Sequence, residues 1–367
     1  MTGAFASLPG VVTDDEGVIQ HAGGPWAEQR ALAAGRAVVP RADRVVIEVA
    51  GPDRLTWLDS ITSQALGSLA AGESTELLVL DPQGRVEHAA AVLDDGASTW
   101  LIADRGDAAG LAKWLTMMRF RAAVTVAVRD DLAVVGAMRG GVAADRLVAA
   151  ALRGRELPLV WADPWGRVSP GGWQYARAED HPGADYAFLE ALVDDAGEAS
   201  LVDLDVAGAL AAEALRIAAW RPRWAAEVDE RSLPHESDWL RSAVHLDKGC
   251  YRGQETVAKV HNLGHPPRRL ALLHLDGSEN VLPERGDVVL LDDEEVGRVT
   301  SAAHHHELGP IALAILSRRA PEEAALVVRH DDAAIAAAQE VIVPGDAGRT
   351  AEVPRLTRLS RRRPAES

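Results

Sequence analysis

From Arg268 onward the chain is a run of short apolar segments split by turn residues: RRLALLHL, DVVLL, VGRVTSA, IALAIL, AALVVR and EVIVP. Segments of that length, with no helical period among them, bury their apolar faces only against one another. That predicts a small all-β unit, a barrel or a sandwich, over residues 266–345. The preceding two-thirds follows a different rule. Residues 44–49 (RVVIEV) read as a strand, and 54–61 carry a helical period with Leu55, Leu58 and Ile61 on one face. Strands at 76–80 and 86–93 flank the turn Asp81-Pro82-Gln83-Gly84, and a strand at 99–103, a helix at 107–117 and a strand at 123–128 follow.

A second unit of the same kind begins at Asp131. Strands are expected at 132–138, 157–162 and 173–177, and helices at 142–152 and 186–193, before a long Ala-rich helix over 205–220. The pattern divides the chain into an N-terminal α+β domain (1–130, completed by 205–265), a second α+β domain (131–204) and the β domain. An Arg-rich tail, 346–367, reads as a solvated extension. Several domains also suit 367 residues, since one core seldom grows that large.

The net charge of −17 disfavours non-specific binding to nucleic acid or to anionic membrane. No apolar run approaches the ~20 residues of a membrane helix, and no signal-peptide pattern opens the chain. With one cysteine, Cys250, an internal disulfide and a four-cysteine metal site are excluded, and a reducing, cytoplasmic setting is expected. No P-loop, dinucleotide fingerprint or Gly-x-Ser-x-Gly elbow is present. The triplet His304-His305-His306 reads as a polar loop between strands, because neighbours in a strand face opposite ways and cannot converge on one ion. No metal site is expected.

The cysteine lies in HLDKGCYRGQETVAKVHNLGH, residues 245–265. Two of the three lysines of an otherwise arginine-based chain fall there, Lys248 and Lys259. An ammonium is a compact point charge whereas guanidinium is a planar fork, so retention of Lys suggests a position that needs the former. Val244 and Leu246 suggest a strand ending at Asp247. Gly249 and Gly253 bracket a permissive loop, and Gln254 with Glu255 opens a short helix or tight turn. Lys248 and Arg252 would favour the thiolate of Cys250. A buried, inert cysteine is the competing reading of the same residues, and capping is the competing reading of Gln254 and Glu255.

The string Lys248-Gly249-Cys250-Tyr251-Arg252-Gly253-Gln254-Glu255 resembles the K-G-C-Y-x-G-Q-E signature of the YgfZ family of folate-binding proteins, relatives of the glycine cleavage system T protein. Residues 47–60, residues 214–224 with Asp229 and Leu233-Pro234-His235-Glu236, and residues 296–301 with Gly309-Pro310-Ile311 extend the resemblance. It implies two ferredoxin-like α+β domains and a β-barrel around a central hole that holds tetrahydrofolate. It further implies a role in iron–sulfur cluster assembly or maintenance, supporting tRNA modification indirectly. Cys250 and Lys248 would be the chemical groups; Gly249, Tyr251, Gly253, Gln254 and Glu255 would shape the loop. Partners would be iron–sulfur assembly proteins or cluster-dependent enzymes, and a transiently shared cluster would need thiols from elsewhere. Two departures from the aminomethyltransferases stand out. The run Gln83-Gly84-Arg85-Val86-Glu87-His88 lacks their catalytic Asp, and Leu215-Arg216-Ile217-Ala218 lacks the Glu that meets the pterin. Glu236 or Asp229 is the expected substitute. A tetrahydrofolate-dependent aminomethyl- or methyltransferase, or a demethylase, is the alternative.

Overall fold

The structure is a computed structural model and describes residues 3–177, 181–278 and 280–351. Two five-stranded sheets and a closed six-stranded barrel form its frame. The first sheet uses β2 (Arg44–Ala50), β3 (Ser74–Leu80), β4 (Val86–Asp94), β5 (Ser98–Asp104) and β6 (Thr125–Val128), in the order β3-β4-β5-β2-β6. Every neighbouring pair is antiparallel. Helices α2 (Arg54–Ile61) and α3 (Arg105–Met118) cover one face, where Leu58, Leu111 and Leu115 pack on Ile47, Val79 and Val92.

The second sheet runs β8-β9-β7-β1-β10, from β8 (Val160–Ala162), β9 (Phe188–Val193), β7 (Ala133–Met138), β1 (Ala37–Pro40) and β10 (Asp205–Val206). Its strands β1 and β10 correct the sequence-based boundary, which put residues 1–130 in the first unit. Val38 pairs with Ala137 and with Val206, and Phe5 and Ile19 pack into the second core beside Leu147 of α4 (Val142–Ala150). Residues 3–40, including α1 (Pro25–Ala33), thus belong with the second sheet.

Residues 186–193 were expected as a helix. They form β9 because the segment is flanked by β8 and β7 and buried on both faces, a setting in which a strand reads as an unbroken apolar run. The strand expected at 173–177 is absent: Trp173 and Tyr175 bond instead to Leu240 O and to the Asp238 carboxylate. The long Ala-rich helix shortens to α5 (Ala209–Ala218).

The barrel closes in the order β11-β14-β13-β12-β15-β16, from β11 (Arg268–Leu275), β12 (Val288–Leu291), β13 (Glu294–His305), β14 (Gly309–Ser317), β15 (Ala325–His330) and β16 (Ala333–Val341). His304 and His305 lie within β13, paired with Pro310 and Gly309, and not in a loop. Closure leaves no free sheet edge, which suits strands this apolar. Leu78 and Leu80 of β3, Ala214 and Ile217 of α5, and Leu270 and Ile311 of the barrel share one buried cluster, so the units form a continuous body. The Arg-rich tail expected after residue 346 lies, from 352 on, outside the described residues.

A helical hinge of two 3-10 turns, Pro234–Ser237 and Trp239–Arg241, meets at Asp238, which adopts φ 57°. Aspartate tolerates that left-handed conformation better than most residues. Its Oδ1 accepts Tyr175 N–H at 2.6 Å, while Oδ2 has no partner among the described residues. Burial pushes its carboxyl up to about 7. An unfolded Asp ionises near ~4, so from about pH 4 to 7 the unfolded chain gives up a proton that the folded chain keeps, and stability falls as pH rises through that window. Asp238→Asn should therefore gain about 2 kcal/mol on wild type between pH 5 and pH 7.5 in urea unfolding. A pH-independent difference between the two proteins would contradict this assignment.

Candidate functional site

Where the two sheets, α5 and the barrel meet, the chain buries a cluster of arginines and carboxylates. Six of these groups close a ring. Arg41 Nε bonds Asp43 at 3.0 Å and its Nη1 reaches Glu190 at 3.1 Å. Arg44 joins the other oxygen of Glu190 at 3.1 Å to Asp104 at 2.9 Å. Arg223 completes the circuit, bonding Asp104 at 2.6 Å and Asp43 at 2.5 Å. Burial alone would raise the Asp43 and Asp104 carboxyls. Arg41 and Arg223 hold Asp43 well below the usual range, and Arg223 and Arg44 hold Asp104 at about 2.

Two more arginines extend the ring. Arg221 donates to Glu76 at 2.7 Å and to Asp163 at 3.0 Å. Arg216, on α5, donates to Glu227 at 2.9 Å and to Ser301 Oγ of β13 at 2.9 Å, so the barrel is tied in through the same network. Burial, with Glu76 adding to it and Arg221 opposing it, pushes the Asp163 carboxyl up to about 6.

These side chains surround a deep cavity of about 60 Å³. It shares Arg41, Asp104, Tyr186, Arg216 and Arg223 with an outer cavity of about 350 Å³ that opens beside Arg105 and Leu210. Three buried polar atoms of the inner wall have no partner among the described residues: Glu76 Oε1, Arg221 Nη1 and Arg44 Nε. Leaving such groups unpaired costs about 1–3 kcal/mol each. One acceptor and two donors thus belong to residues of a chamber that aromatic rings, Trp161, Tyr186 and Trp239 among them, also line.

The cysteine loop sits elsewhere. Cys250 is exposed, three residues ahead of the N-cap of α6 (Gln254–Leu263). The stretch before it is a series of turns and not the expected strand. Lys248 is bonded away from the thiol. Its ammonium, only 4% exposed, donates to the carbonyls of Asp59, Thr62 and Gln64 at the end of α2, at 2.5, 3.0 and 2.6 Å. Three donors meeting three carbonyls is a task for an ammonium and not for a planar fork, which accounts for a lysine here. Tyr251 is buried under the same ammonium, 5.4 Å from ring centre to Nζ.

Gly253 has φ 83°, and a Cβ there would come within 2.5 Å of Asp81 O, so close packing on the β3–β4 turn requires glycine. Gly249 has open space around it. Gln254 Nε2 donates to Lys248 O at 3.1 Å and steadies the loop, whereas Glu255 points outward in the first turn of α6. Arg252 pairs with Glu87.

Glu236 and Asp229, the expected substitutes for the missing pterin carboxylate, lie apart from the chamber. Both turn to Arg268 at the start of the barrel, at 2.7 and 2.6 Å, and neither lines the chamber. Nor does His88 reach it: Ala89, Ala90 and Ala91 line the chamber from β4, whereas the His88 ring turns to Asp107 of α3. The groups that do line it, Glu76, Asp163 and Glu190, went unrecognised in the sequence. For Glu76 and Glu190 the signal was a carboxylate within an otherwise apolar strand, as in FLEALV, since such a charge is buried only with a partner; Asp163 sits at a turn and had no such signal.

Residues 268–347 match the family model of the glycine cleavage T-protein C-terminal barrel domain. The crystal structure of the glycine cleavage system aminomethyltransferase T from Bartonella henselae superposes with a TM-score of 0.70 over 90% of this chain and 92% of that one, at 17% identity. The fold is that of an aminomethyltransferase T. A curated Arabidopsis thaliana protein, described as a putative chloroplastic transferase, is 35% identical over 98 residues, 26% of this chain. The chain spans about a fifth of that relative, 21% of its length. Among the described residues no helix is long and apolar enough to cross a membrane.

Lys248→Met should lower stability by about 3 kcal/mol, since three partly buried carbonyls lose a charged donor, and Lys248→Arg should recover little of it. In either variant, if folded, the rate of Cys250 alkylation by iodoacetamide at pH 7 should stay within about twofold of wild type. A tenfold fall would return Lys248 to the role of thiolate activator.

Proposed function

We propose that the chain is a folate-binding accessory protein of the YgfZ type, acting in iron–sulfur cluster assembly or maintenance and not as a transferase. The observation that carries the ligand is the trio of buried, unpartnered atoms on residues that line the chamber. A pterin offers N–H donors beside a ring carbonyl. Glu76 Oε1 suits the donors, Arg221 Nη1 and Arg44 Nε suit the carbonyl, and the chamber's aromatic rings suit its flat faces. The residues therefore fit tetrahydrofolate by chemistry. The outer cavity, at the small end of ligand-site volumes, suits the remainder of the molecule. A bound folate would supply a one-carbon carrier; what this chain's own residues do is hold the ring edge and exclude water around it.

An accessory role is supported by what faces the chamber from β4, where Ala89 and Ala91 provide no proton-transfer group. It is supported also by the exposed Cys250, on a loop fixed by Lys248, Gly253 and Gln254. A thiol so placed can serve as one ligand of a cluster shared with a partner protein, whose thiols would complete the set. Asp163 favours the transferase reading, because a carboxyl near 6 inside the chamber can exchange a proton at neutral pH. Its bond to Arg221 and its place within the network make a structural account of that shift sufficient.

Anaerobic calorimetry tests the ligand. Tetrahydrofolate should bind with a Kd near the micromolar range, roughly 8 kcal/mol. Glu76→Gln should weaken it by about tenfold to a hundredfold with the fold intact, because a charged acceptor is lost. No heat at millimolar tetrahydrofolate, or equal affinity in the variant, would defeat the proposal. Turnover of a one-carbon donor that Asp163→Asn abolishes would favour the transferase.

A further inference from the structure

A second cleft, of about 680 Å³, lies outside the chamber between α3, the start of β4 and residues 224–230. The indole of Trp224 is the shared wall, held by its Nε1–H on Glu87 O at 3.0 Å. Into this cleft β4 places His88, whose ring is positioned by more than one neighbour. Its Nδ1 makes a short hydrogen bond with Asp107, a carboxylate only 1% exposed whose other oxygen accepts Ala89 N–H at 3.2 Å. Gly110 leaves room for the ring: a Cβ there would lie 3.1 Å from His88 Cε1. Trp114 packs beside it, ring centres 6.4 Å apart.

An imidazole that donates from Nδ1 to a carboxylate is held, when neutral, in the tautomer whose Nε2 is an acceptor. His88 Nε2 has no partner among the described residues, and the side chain keeps 16% of its surface exposed on the cleft. The charges around it are uneven. Glu87 is paired with Arg252, Asp229 with Arg268, and Asp81 accepts the backbone N–H groups of Gln83 and Arg85. Arg85, Lys113 and the carboxylate Glu230, also on the wall, have no side-chain partner among the described residues, so an anion would be met by the two cations on the side away from Glu230. Trp114, Trp224 and Met117 supply apolar surface, and Met117 is 59% exposed.

We propose that this cleft is a second small-molecule site for an aromatic acid carrying a ring O–H or N–H, which donates to His88 Nε2 while Arg85 and Lys113 attract its carboxylate. His88 would touch the ligand, and Asp107 would position His88. The proposal does not depend on folate in the chamber. The aromatic walls select a flat apolar body, the two cations an anion, and the oriented imidazole a hydrogen-bond donor.

The test uses 4-hydroxybenzoate and 3-hydroxybenzoate as probes on the full chain, followed by the imidazole resonances of His88, assigned with His88→Gln. At least one should bind in the millimolar range expected of so small a ligand and shift the His88 signals. Benzoate, which lacks the donor, should bind about tenfold more weakly, and tyramine, which carries a cation, should not bind. Lys113→Glu, at an exposed position that the fold does not need, should weaken binding about tenfold or more. Asp107→Asn should change the tautomer reported by the ring nitrogens and reduce affinity with it. Glu76→Gln should leave all of this unchanged, which separates the site from the chamber. Failure of both hydroxybenzoates to shift His88, or equal binding of benzoate and tyramine, would overturn the proposal.

Discussion

The closed ring Arg41–Asp43–Arg223–Asp104–Arg44–Glu190 is the interaction on which the rest of the molecule depends. Each group in it would be costly to bury alone, by several kcal/mol, and each is matched by two opposite charges. The ring draws on β2 and β5 of one sheet, β9 of the other, and the segment after α5. Such a circuit closes in one relative placement of the sheets. Buried ion pairs add little to stability compared with apolar packing, but removing one member strands its partners, at about 3–5 kcal/mol. The apolar cluster that joins both sheets, α5 and the barrel supplies the adhesion, and the ring sets the register.

The same arrangement defines the chamber. Arg216 and Arg221 continue the network toward the barrel and toward β3, and the three unpartnered atoms belong to the ring's Arg44 and to the Arg221–Glu76 pair. A chamber walled by paired charges is already polarised, so a ligand edge meets fixed donors and acceptors with little rearrangement.

The barrel and most of the first sheet were legible because their residues carry a clean period, as in RRLALLHL or RVVIEV. What misled was burial. The segment FLEALV has helical propensity and became a strand because neighbours cover both of its faces. The boundary near residue 40 was hidden for a related reason: β1 joins the second sheet through partners at Ala137 and Val206, a pairing with no local trace. The site divided along the same line. Local constraint marked the cysteine loop, where Gly253 is required by Asp81 O and Lys248 by three carbonyls, a structural task for the lysine. The chamber was not visible, because its carboxylates come from strands far apart in sequence and each looks like an isolated charge until the sheets are assembled.

The most direct test of the central claim is a crystal structure of the protein grown anaerobically with tetrahydrofolate. A pterin edge should lie within hydrogen-bond distance of Glu76 Oε1 and of Arg221 Nη1 or Arg44 Nε, with the closed ring of ion pairs kept. Folate bound outside the chamber, or a chamber holding water alone at saturating ligand, would contradict it.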